Sequence, residues 1–140
     1  MSPLEILRRG HAVSDKQFDA LYPAWVQELS DMFWTPVEVA VRAAQLLAPS
    51  EEVQVLDVGS GVGKFCHVGF AATGARFHGI EQRADLVDIA RAMPGGDPGP
   101  VFEHGNMVDL DWSRYRGIYL YNPFFEQTSG PWCQIDSTID

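Results

Sequence analysis

The fold of this 140-residue chain depends on one stretch of sequence, Val53-Gln-Val-Leu-Asp-Val-Gly-Ser-Gly-Val-Gly-Lys64. Its first half is a short β-branched apolar run, which is typical of a fully buried strand. Residues 64–73 then predict a helix, and Gly74 is placed to end it. A strand, a glycine turn and a helix start favour a nucleotide-like ligand. Glycines allow positive φ and close approach, and the helix start offers unpaired N–H groups.

The spacing of the glycines and the acid before them discriminate between ligands. Gly59, Gly61 and Gly63 are spaced as G-x-G-x-G, whereas the dinucleotide fingerprint is G-x-G-x-x-G with a pyrophosphate on the helix dipole. Asp57 would repel a pyrophosphate, but it suits a ligand that carries an ammonium or a sulfonium group. A tight strand–helix turn without a ligand, as in any α/β protein, is the alternative at this point.

The pattern Asp-x-Gly-x-Gly-x-Gly, from Asp57 to Gly63, resembles the first motif of the class I S-adenosylmethionine-dependent methyltransferases. The resemblance implies S-adenosyl-L-methionine as the cofactor. It also implies that this turn, Ser60 included, accommodates the amino-acid end of that cofactor.

A second acid ends the next predicted strand. Glu81 closes the apolar run 75–81 about twenty residues beyond the glycine turn, where a carboxylate can accept both hydroxyls of a ribose. A solvated Glu at a strand terminus is the alternative. The segment Gly79-Ile-Glu81 also resembles the second motif of the same family, which implies that Glu81 and its neighbour Gln82 lie against the cofactor.

A third signal lies in Gly117-Ile-Tyr-Leu-Tyr-Asn-Pro-Phe-Phe125. Residues 118–121 predict a fourth buried strand, which Asn122 and Pro123 would break. The segment resembles the fourth motif of amino-directed methyltransferases, an Asn (or Asp)-Pro-Pro-aromatic turn. The resemblance implies that Asn122, Pro123 and Phe124 meet the methyl acceptor, although Phe124 replaces the second proline of the family. An Asn-Pro turn with core aromatic residues is the alternative.

Two further segments extend the resemblance. Thr35 and Pro36 predict a helix start, with Thr35 as N-cap and Glu38 completing a capping box. They also resemble the aromatic-x-Thr-Pro turn that leans over the methionine end of the cofactor in amino-directed methyltransferases. Asn106 follows a weak third strand, where the family has an acidic residue, and the resemblance implies that Asn106 and Met107 contact the adenine.

The segment before the glycine strand predicts helices. Asp15 predicts a helix cap, and apolar residues then recur at helical spacing as far as Leu29. Pro23 is placed to split or kink this helix. The sequence therefore predicts an N-terminal helical segment, residues 1–32, before a cofactor-binding domain, residues 33–140.

The composition limits the classes of function. With 46% apolar residues and no apolar run long enough to span a membrane, the chain is expected to be a globular cytoplasmic domain. The two cysteines and four histidines show no metal-ligand spacing, so no metal is predicted. A formal charge of −9 without a basic cluster argues against a nucleic-acid partner.

Alternating strands and helices predict an α/β fold with a parallel sheet and right-handed crossovers. The resemblance implies a Rossmann-like sheet in the order 3-2-1-4, and direct in-line transfer of a methyl group to a nucleophile, expected to be an amino nitrogen. The family has seven strands, so the domain is expected to be cut short after the fourth. Its sheet edge would then need a second copy or a completing partner. The alternatives are a cofactor-binding module without turnover and a nicotinamide-dependent oxidoreductase, which the glycine spacing and Asp57 disfavour.

Overall fold

The computed structural model describes residues 1–28, 34–94 and 98–120. These residues contain a four-stranded sheet in the order β3-β2-β1-β4, and every neighbouring pair is parallel. The predicted α/β class and sheet order are therefore confirmed. The strands are β1 (Gln54–Val58), β2 (Arg76–Glu81), β3 (Val101–His104) and β4 (Gly117–Leu120).

The described helices surround the sheet in chain order. They are α1 (Pro3–Arg8), α2 (Asp15–Asp19), α3 (Ala24–Gln27), α4 (Val37–Leu47), α5 (Lys64–Thr73) and α6 (Ala84–Ala92), and two short 3-10 helices follow, η1 (Met107–Asp109) and η2 (Trp112–Arg114). Helix α5 agrees with its prediction at both ends. Its flanking residues, Gly63 and Gly74, both adopt left-handed backbone angles that favour glycine.

The N-terminal helices differ from the prediction at the cap of α2 and at its end, since α2 already ends at Asp19; Leu29 lies outside the described residues. Ser14, not Asp15, is the N-cap of α2, and its hydroxyl accepts a hydrogen bond from the backbone N–H of Gln17 in a capping box. Asp15 is the first helical residue. Pro23 does separate two helices, α2 and α3, as its missing N–H and fixed φ lead one to expect.

The prediction that Thr35 caps α4 in a capping box with Glu38 is wrong. Pro36 is the residue before the first helical residue, Val37, and this helix start has no side-chain cap from its own segment. The Thr35 hydroxyl instead hydrogen-bonds the hydroxyl of Tyr119 on β4, at 2.8 Å. The carboxylate of Asp15 accepts the Val37 N–H, at 2.8 Å, so the cap comes from a distant helix.

The larger hydrophobic core lies on one face of the sheet, which we call the helix face. Strand side chains such as Val55, Phe77 and Phe102 point into it. Helices α4, α5 and α6 cover it, and α1, α2 and α3 add Leu4, Leu7, Phe18 and Val26 to the same core. The N-terminal segment therefore packs on the sheet through the same core, and the division at residue 32 stays a prediction.

The opposite face, here called the second face, carries a smaller core. Leu56, Val58, Ile80 and Tyr115 are buried there under the chain of η1 and η2. Strand alternation places three more apolar side chains on this face, and they are exposed to different extents: Val101 59%, Ile118 38% and Leu120 55%. Among the described helices, none is long and apolar enough to cross a lipid bilayer.

Candidate functional site

The predicted cofactor residues meet at the carboxyl edge of the sheet. Strands β1, β2 and β3 are parallel and end at Val58, Glu81 and His104, so the segments that follow them lie at one edge. In open α/β sheets, ligands bind at this edge, beside the point where the strand order reverses. Here that point lies between β1 and β4.

The glycine turn is held against β2 by its own backbone. The N–H groups of Gly59 and Ser60 both donate to the carbonyl of Ile80, at 2.9 and 3.1 Å. Gly59, Gly61 and Gly63 have φ values of 72°, 56° and 82°, in the left-handed region that favours glycine. A residue with a side chain would strain the backbone at each of these three positions, which explains why glycine recurs at every second residue of the turn.

Gly61 and Gly63 differ in what lies beside them. A Cβ on Gly63 would meet the Phe102 ring at 2.6 Å and Ala90 at 3.0 Å, so this glycine allows β3 and α6 to pack against the turn. A Cβ on Gly61 would meet nothing within 4 Å. The space beside Gly61 is where a ligand can approach the turn.

Glu81 is attached to the glycine turn. One of its carboxylate oxygens accepts the N–H of Gly61, and the other accepts the N–H of Arg83, each at 3.0 Å. Each carboxylate oxygen can accept a second hydrogen bond. Glu81 therefore holds the turn in place and still has acceptor capacity for the hydroxyl groups of a ligand.

Asp57 lies beneath the turn on the helix face. Its side chain is buried, and the Cys66 thiol donates to Oδ2 at 3.6 Å. Burial raises the pKa of Asp57 to about 8, the Cys66 hydrogen bond opposes that rise, and the charge of Glu81 adds to it. The raised pKa favours the neutral form of the carboxyl group at neutral pH, and a cation beside it would favour the ionised form.

Lys64, at the start of α5, was not among the predicted site residues. It is only 3% exposed, and its Nζ lies 2.7 Å from Asp15 Oδ1 and 2.8 Å from Asp19 Oδ1. The ring centroids of Trp34 and Phe18 are 5.5 and 5.9 Å from the same atom. The only signal in the sequence was the spacing of Asp15 and Asp19 by four residues, which places two carboxylates on one side of α2.

The turn at Thr35 and Pro36 lies near β4. Thr35 is buried and bonded to Tyr119, whose ring stacks on Phe65 of α5 with centroids 3.8 Å apart, whereas Pro36 is exposed. Tyr119 pairs in register with Asp57 of β1. The Thr35–Pro36 turn is thus joined to the strand that precedes the predicted acceptor residues.

The predicted adenine residues follow β3. Asn106 is exposed, and its Oδ1 accepts the N–H of Val108, which caps η1. Met107 is half-buried against the core of the second face. Gln82 is exposed, and its backbone carbonyl accepts a hydrogen bond from His104. The segment that begins at Gly105 lies beside Glu81, because the Gly105 N–H donates to the Glu81 carbonyl at 2.9 Å.

The predicted acceptor residues, Asn122, Pro123 and Phe124, lie outside the described residues, as does Tyr121 of the predicted fourth strand. Within the part of the chain that the structure describes, no three His, Cys, Asp or Glu side chains come together as a group that could hold a metal ion. The buried His67 instead donates from Nε2 to the carbonyl of Ala90, at 2.9 Å, which is a structural role.

Several solved methyltransferase structures are similar to this chain. An RNA methyltransferase from Salinibacter ruber, solved in complex with S-adenosyl-L-homocysteine, is 32% identical and superposes with a TM-score of 0.55 over 66% of this chain. The resemblance to the N-terminal part of class I methyltransferases is confirmed. This chain spans 63% of the length of that protein.

Two other solved methyltransferases are more distant. A geranyl diphosphate methyltransferase is 18% identical, with a TM-score of 0.48 over 69% of this chain and 35% of its own. A methyltransferase from Haloferax volcanii, in complex with a methyltransferase activator, is 25% identical, with a TM-score of 0.47 over 71% of this chain and 42% of its own. No protein-family model and no curated protein matches the sequence.

Proposed function

We propose that this chain is the cofactor-binding part of a methyltransferase that uses S-adenosyl-L-methionine. The observation that carries the proposal is the link between Glu81 and the Gly61 N–H at the carboxyl edge of the sheet. It brings a carboxylate, which can accept hydrogen bonds from hydroxyl groups, directly beside Gly61, where an added Cβ would meet nothing within 4 Å. A nucleoside fits this arrangement if its ribose hydroxyls bind Glu81 and its 5′ substituent extends over the glycine turn.

The charges around the turn support a cationic ligand over a phosphate. Lys64 follows the turn, but two carboxylates hold its ammonium group inside the protein, so it offers no charge to a phosphate. The nearest carboxyl groups at the turn are Asp57 and Glu81. An ammonium and a sulfonium group would both be stabilised there, because each lowers the cost of ionising Asp57. The same argument disfavours a nicotinamide dinucleotide.

The proposed assignments follow the sheet edge. Glu81 would bind the ribose hydroxyls, with Gln82 beside it. Asp57, Gly59, Ser60, Gly61 and Gly63 would bind the methionine end, and Thr35 with Pro36 would close over it. Asn106 would accept from the adenine amino group through its second lone pair, and Met107 would pack on the ring.

The proposed reaction is an in-line displacement. A neutral nucleophile forms a bond to the methyl carbon through its lone pair, while the electrons of the carbon–sulfur bond leave with the sulfur, which yields S-adenosyl-L-homocysteine. A protonated amine product then loses one proton to solvent. Such a reaction needs positioning more than acid–base chemistry. We propose an amino nitrogen as acceptor, held by Asn122, Pro123 and Phe124.

An RNA acceptor is the second candidate. The relative from Salinibacter ruber is an RNA methyltransferase, and it is the neighbour with 32% identity. The charge of −9 on this chain disfavours RNA, because phosphate binding relies on Lys and Arg side chains. An RNA acceptor would therefore require that another part of the protein or a partner supplies positive charge.

Three further expectations stay proposals. They are the division at residue 32, the cytoplasmic location, and a second copy or a partner that covers the edge of β4. The exposed apolar side chains of Ile118 and Leu120 support the last of these, because an uncovered apolar strand invites pairing.

The first test is calorimetric titration of the purified chain with S-adenosyl-L-homocysteine. Glu81→Ala removes the carboxylate at the turn, and we expect it to weaken binding at least tenfold. Glu52→Gln is the matched control, since this exposed acid precedes β1 at the other end of the sheet. The control should bind like the unchanged chain.

Absence of binding by a folded chain would overturn the proposal for this polypeptide, and binding of NADH instead would favour the oxidoreductase. If the ligand binds, S-adenosyl-L-methionine with a labelled methyl group is incubated with pools of amines, proteins or RNA, and the pool that becomes labelled identifies the class of acceptor. Asn122→Ala should then abolish transfer to an amine while cofactor binding persists. Binding without transfer to any pool would indicate a cofactor-binding module.

A further inference from the structure

Polar side chains of the N-terminal segment contact the end of the glycine turn and the start of α5. Tyr22 donates its hydroxyl to the carbonyl of Val62, at 3.0 Å in a buried position. Asp15 and Asp19 bind the ammonium group of Lys64, at 2.7 and 2.8 Å. Val62 and Lys64 flank Gly63, so these contacts hold the end of the turn in place.

Asp15 also contacts the start of a second helix. The same oxygen that binds Lys64 also accepts the N–H of Val37, at 2.8 Å. Val37 is the first residue of α4 and follows Thr35 and Pro36 directly. A single carboxylate oxygen therefore joins the start of α5, which follows the glycine turn, to the start of α4, which follows the Thr35–Pro36 turn.

The charge of Asp15 is maintained by these contacts. Partial burial opposes ionisation, but the hydrogen bonds from Lys64 and Val37 and the charge of Lys64 outweigh it and lower the pKa of the carboxyl group. At neutral pH the group is an anion that accepts from two donors at once. Hydrogen bonds to a charged acceptor are stronger than those between neutral groups.

We propose that Asp15 is a positioning residue that sets the separation between the Thr35–Pro36 turn and the glycine turn. The inference rests on the proposed function, since these turns are the two proposed walls around the methionine end of the cofactor. Thr35 is also bonded to Tyr119 of β4, so the wall that Asp15 positions is continuous with the strand leading to the acceptor residues.

The test uses two ligands that share the adenosine and the sulfur atom but differ in whether they carry the amino-acid end. S-adenosyl-L-homocysteine carries the amino-acid end, and 5′-methylthioadenosine lacks it. For Asp15→Ala, we expect about a tenfold loss of affinity for the first ligand and less than a twofold change for the second. General loosening of the fold would weaken both ligands together.

Two properties make the variant informative. In Asp15→Ala, Lys64 keeps Asp19 as a partner, so no buried charge is left alone. Asp15→Asn retains an oxygen that can accept from Val37 and Lys64, and it should recover most of the lost affinity. Glu5→Ala is the matched control, because Glu5 also caps a helix in the N-terminal segment but only accepts the N–H of Ser2.

The outcomes separate the two levels of inference. If the unchanged chain binds neither ligand, the proposed function fails. If it binds S-adenosyl-L-homocysteine and Asp15→Ala binds equally well, the positioning role fails while the proposed function stands. Equal losses for both ligands would also contradict the positioning role, and would assign Asp15 to general stability.

Discussion

The two faces of the sheet are built from alternate residues of the same strands, yet they differ in how completely they are covered. On the helix face, Phe77 is 2% exposed and packs edge-on against Phe65. On the second face, Leu120 is 55% exposed, and short 3-10 helices lie over only part of the surface. In the described part of the chain, the side chains of the helix face are therefore buried, whereas those of the second face are buried only in part.

The difference in coverage between the two faces predicts which substitutions should affect stability and ligand binding. The helix face holds the turn, Asp57 and Lys64 in fixed relation to one another, so the proposed cofactor site depends on it. The second face contributes Met107 to the proposed site, buries a small core around Leu56, and leaves Ile118 and Leu120 exposed. Substitutions on the helix face should therefore affect stability and binding together, whereas substitutions of the exposed residues Ile118 and Leu120 should affect neither strongly.

The largest effect is expected for Phe77→Ala. The ring is buried, contacts Phe65, and occupies the space left by Gly69 of α5. Its removal leaves a cavity and should lower the free energy of unfolding by about 3–5 kcal/mol. Urea unfolding followed by circular dichroism measures this loss. A change below about 1 kcal/mol would mean that the helix face is not a close-packed core.

The next effect concerns pH and Asp57. The pKa of this group is about 8 in the folded chain, and about 3.9 for an ordinary unfolded Asp. Between these values the folded state holds a proton that the unfolded state has lost, so stability falls as pH rises. The slope for this group is about 1.4 kcal/mol per pH unit, and it ends near the folded pKa.

Asp57→Asn removes that titration. Urea unfolding of the unchanged chain and the variant, compared from about pH 5 to about pH 7.5, should show that the variant gains on the unchanged chain as pH rises. Two stability curves that stay parallel across this window would contradict the raised pKa.

A smaller loss of stability is expected for alanine substitutions in the glycine turn, and it should differ between Gly63 and Gly61. Gly63→Ala should cost about 2–4 kcal/mol of unfolding free energy, because left-handed backbone strain adds to a collision with Phe102. Gly61→Ala should cost only about 1–2 kcal/mol, since the strain is present but nothing lies beside it. Calorimetry should nevertheless find that Gly61→Ala weakens S-adenosyl-L-homocysteine binding. Equal stability losses would remove the distinction between the packed and the open glycine.

The smallest effect is expected on the second face. Leu120→Ser changes an exposed side chain and should alter the free energy of unfolding by no more than about 0.5 kcal/mol. Urea unfolding at two protein concentrations is the measurement. A loss above about 1 kcal/mol, or a loss that depends on concentration, would show that this face is covered in solution.

Much of the fold could be predicted because its signals are local. The β-branched run before the glycine turn, the glycines themselves and Gly74 mark β1 and α5 within a residue or so. The order of the sheet was implied by the resemblance and agrees with the structure. The cap at Thr35 was predicted wrongly, although the local pattern is right for a capping box. The Thr35 hydroxyl bonds Tyr119 of β4 instead, and the Asp15 carboxylate of α2 accepts the N–H of Val37.

The amino-acid sequence alone determined the α/β class, the glycine turn and the acid that follows β2, since each depends on residues close together in the chain. Only the tertiary structure decided what surrounds them. Lys64 is held by Asp15 and Asp19, burial raises the pKa of Asp57, and Gly63 allows close packing while a Cβ on Gly61 would meet nothing within 4 Å. Each of these depends on partners from other helices and strands, and folding alone brings such partners together.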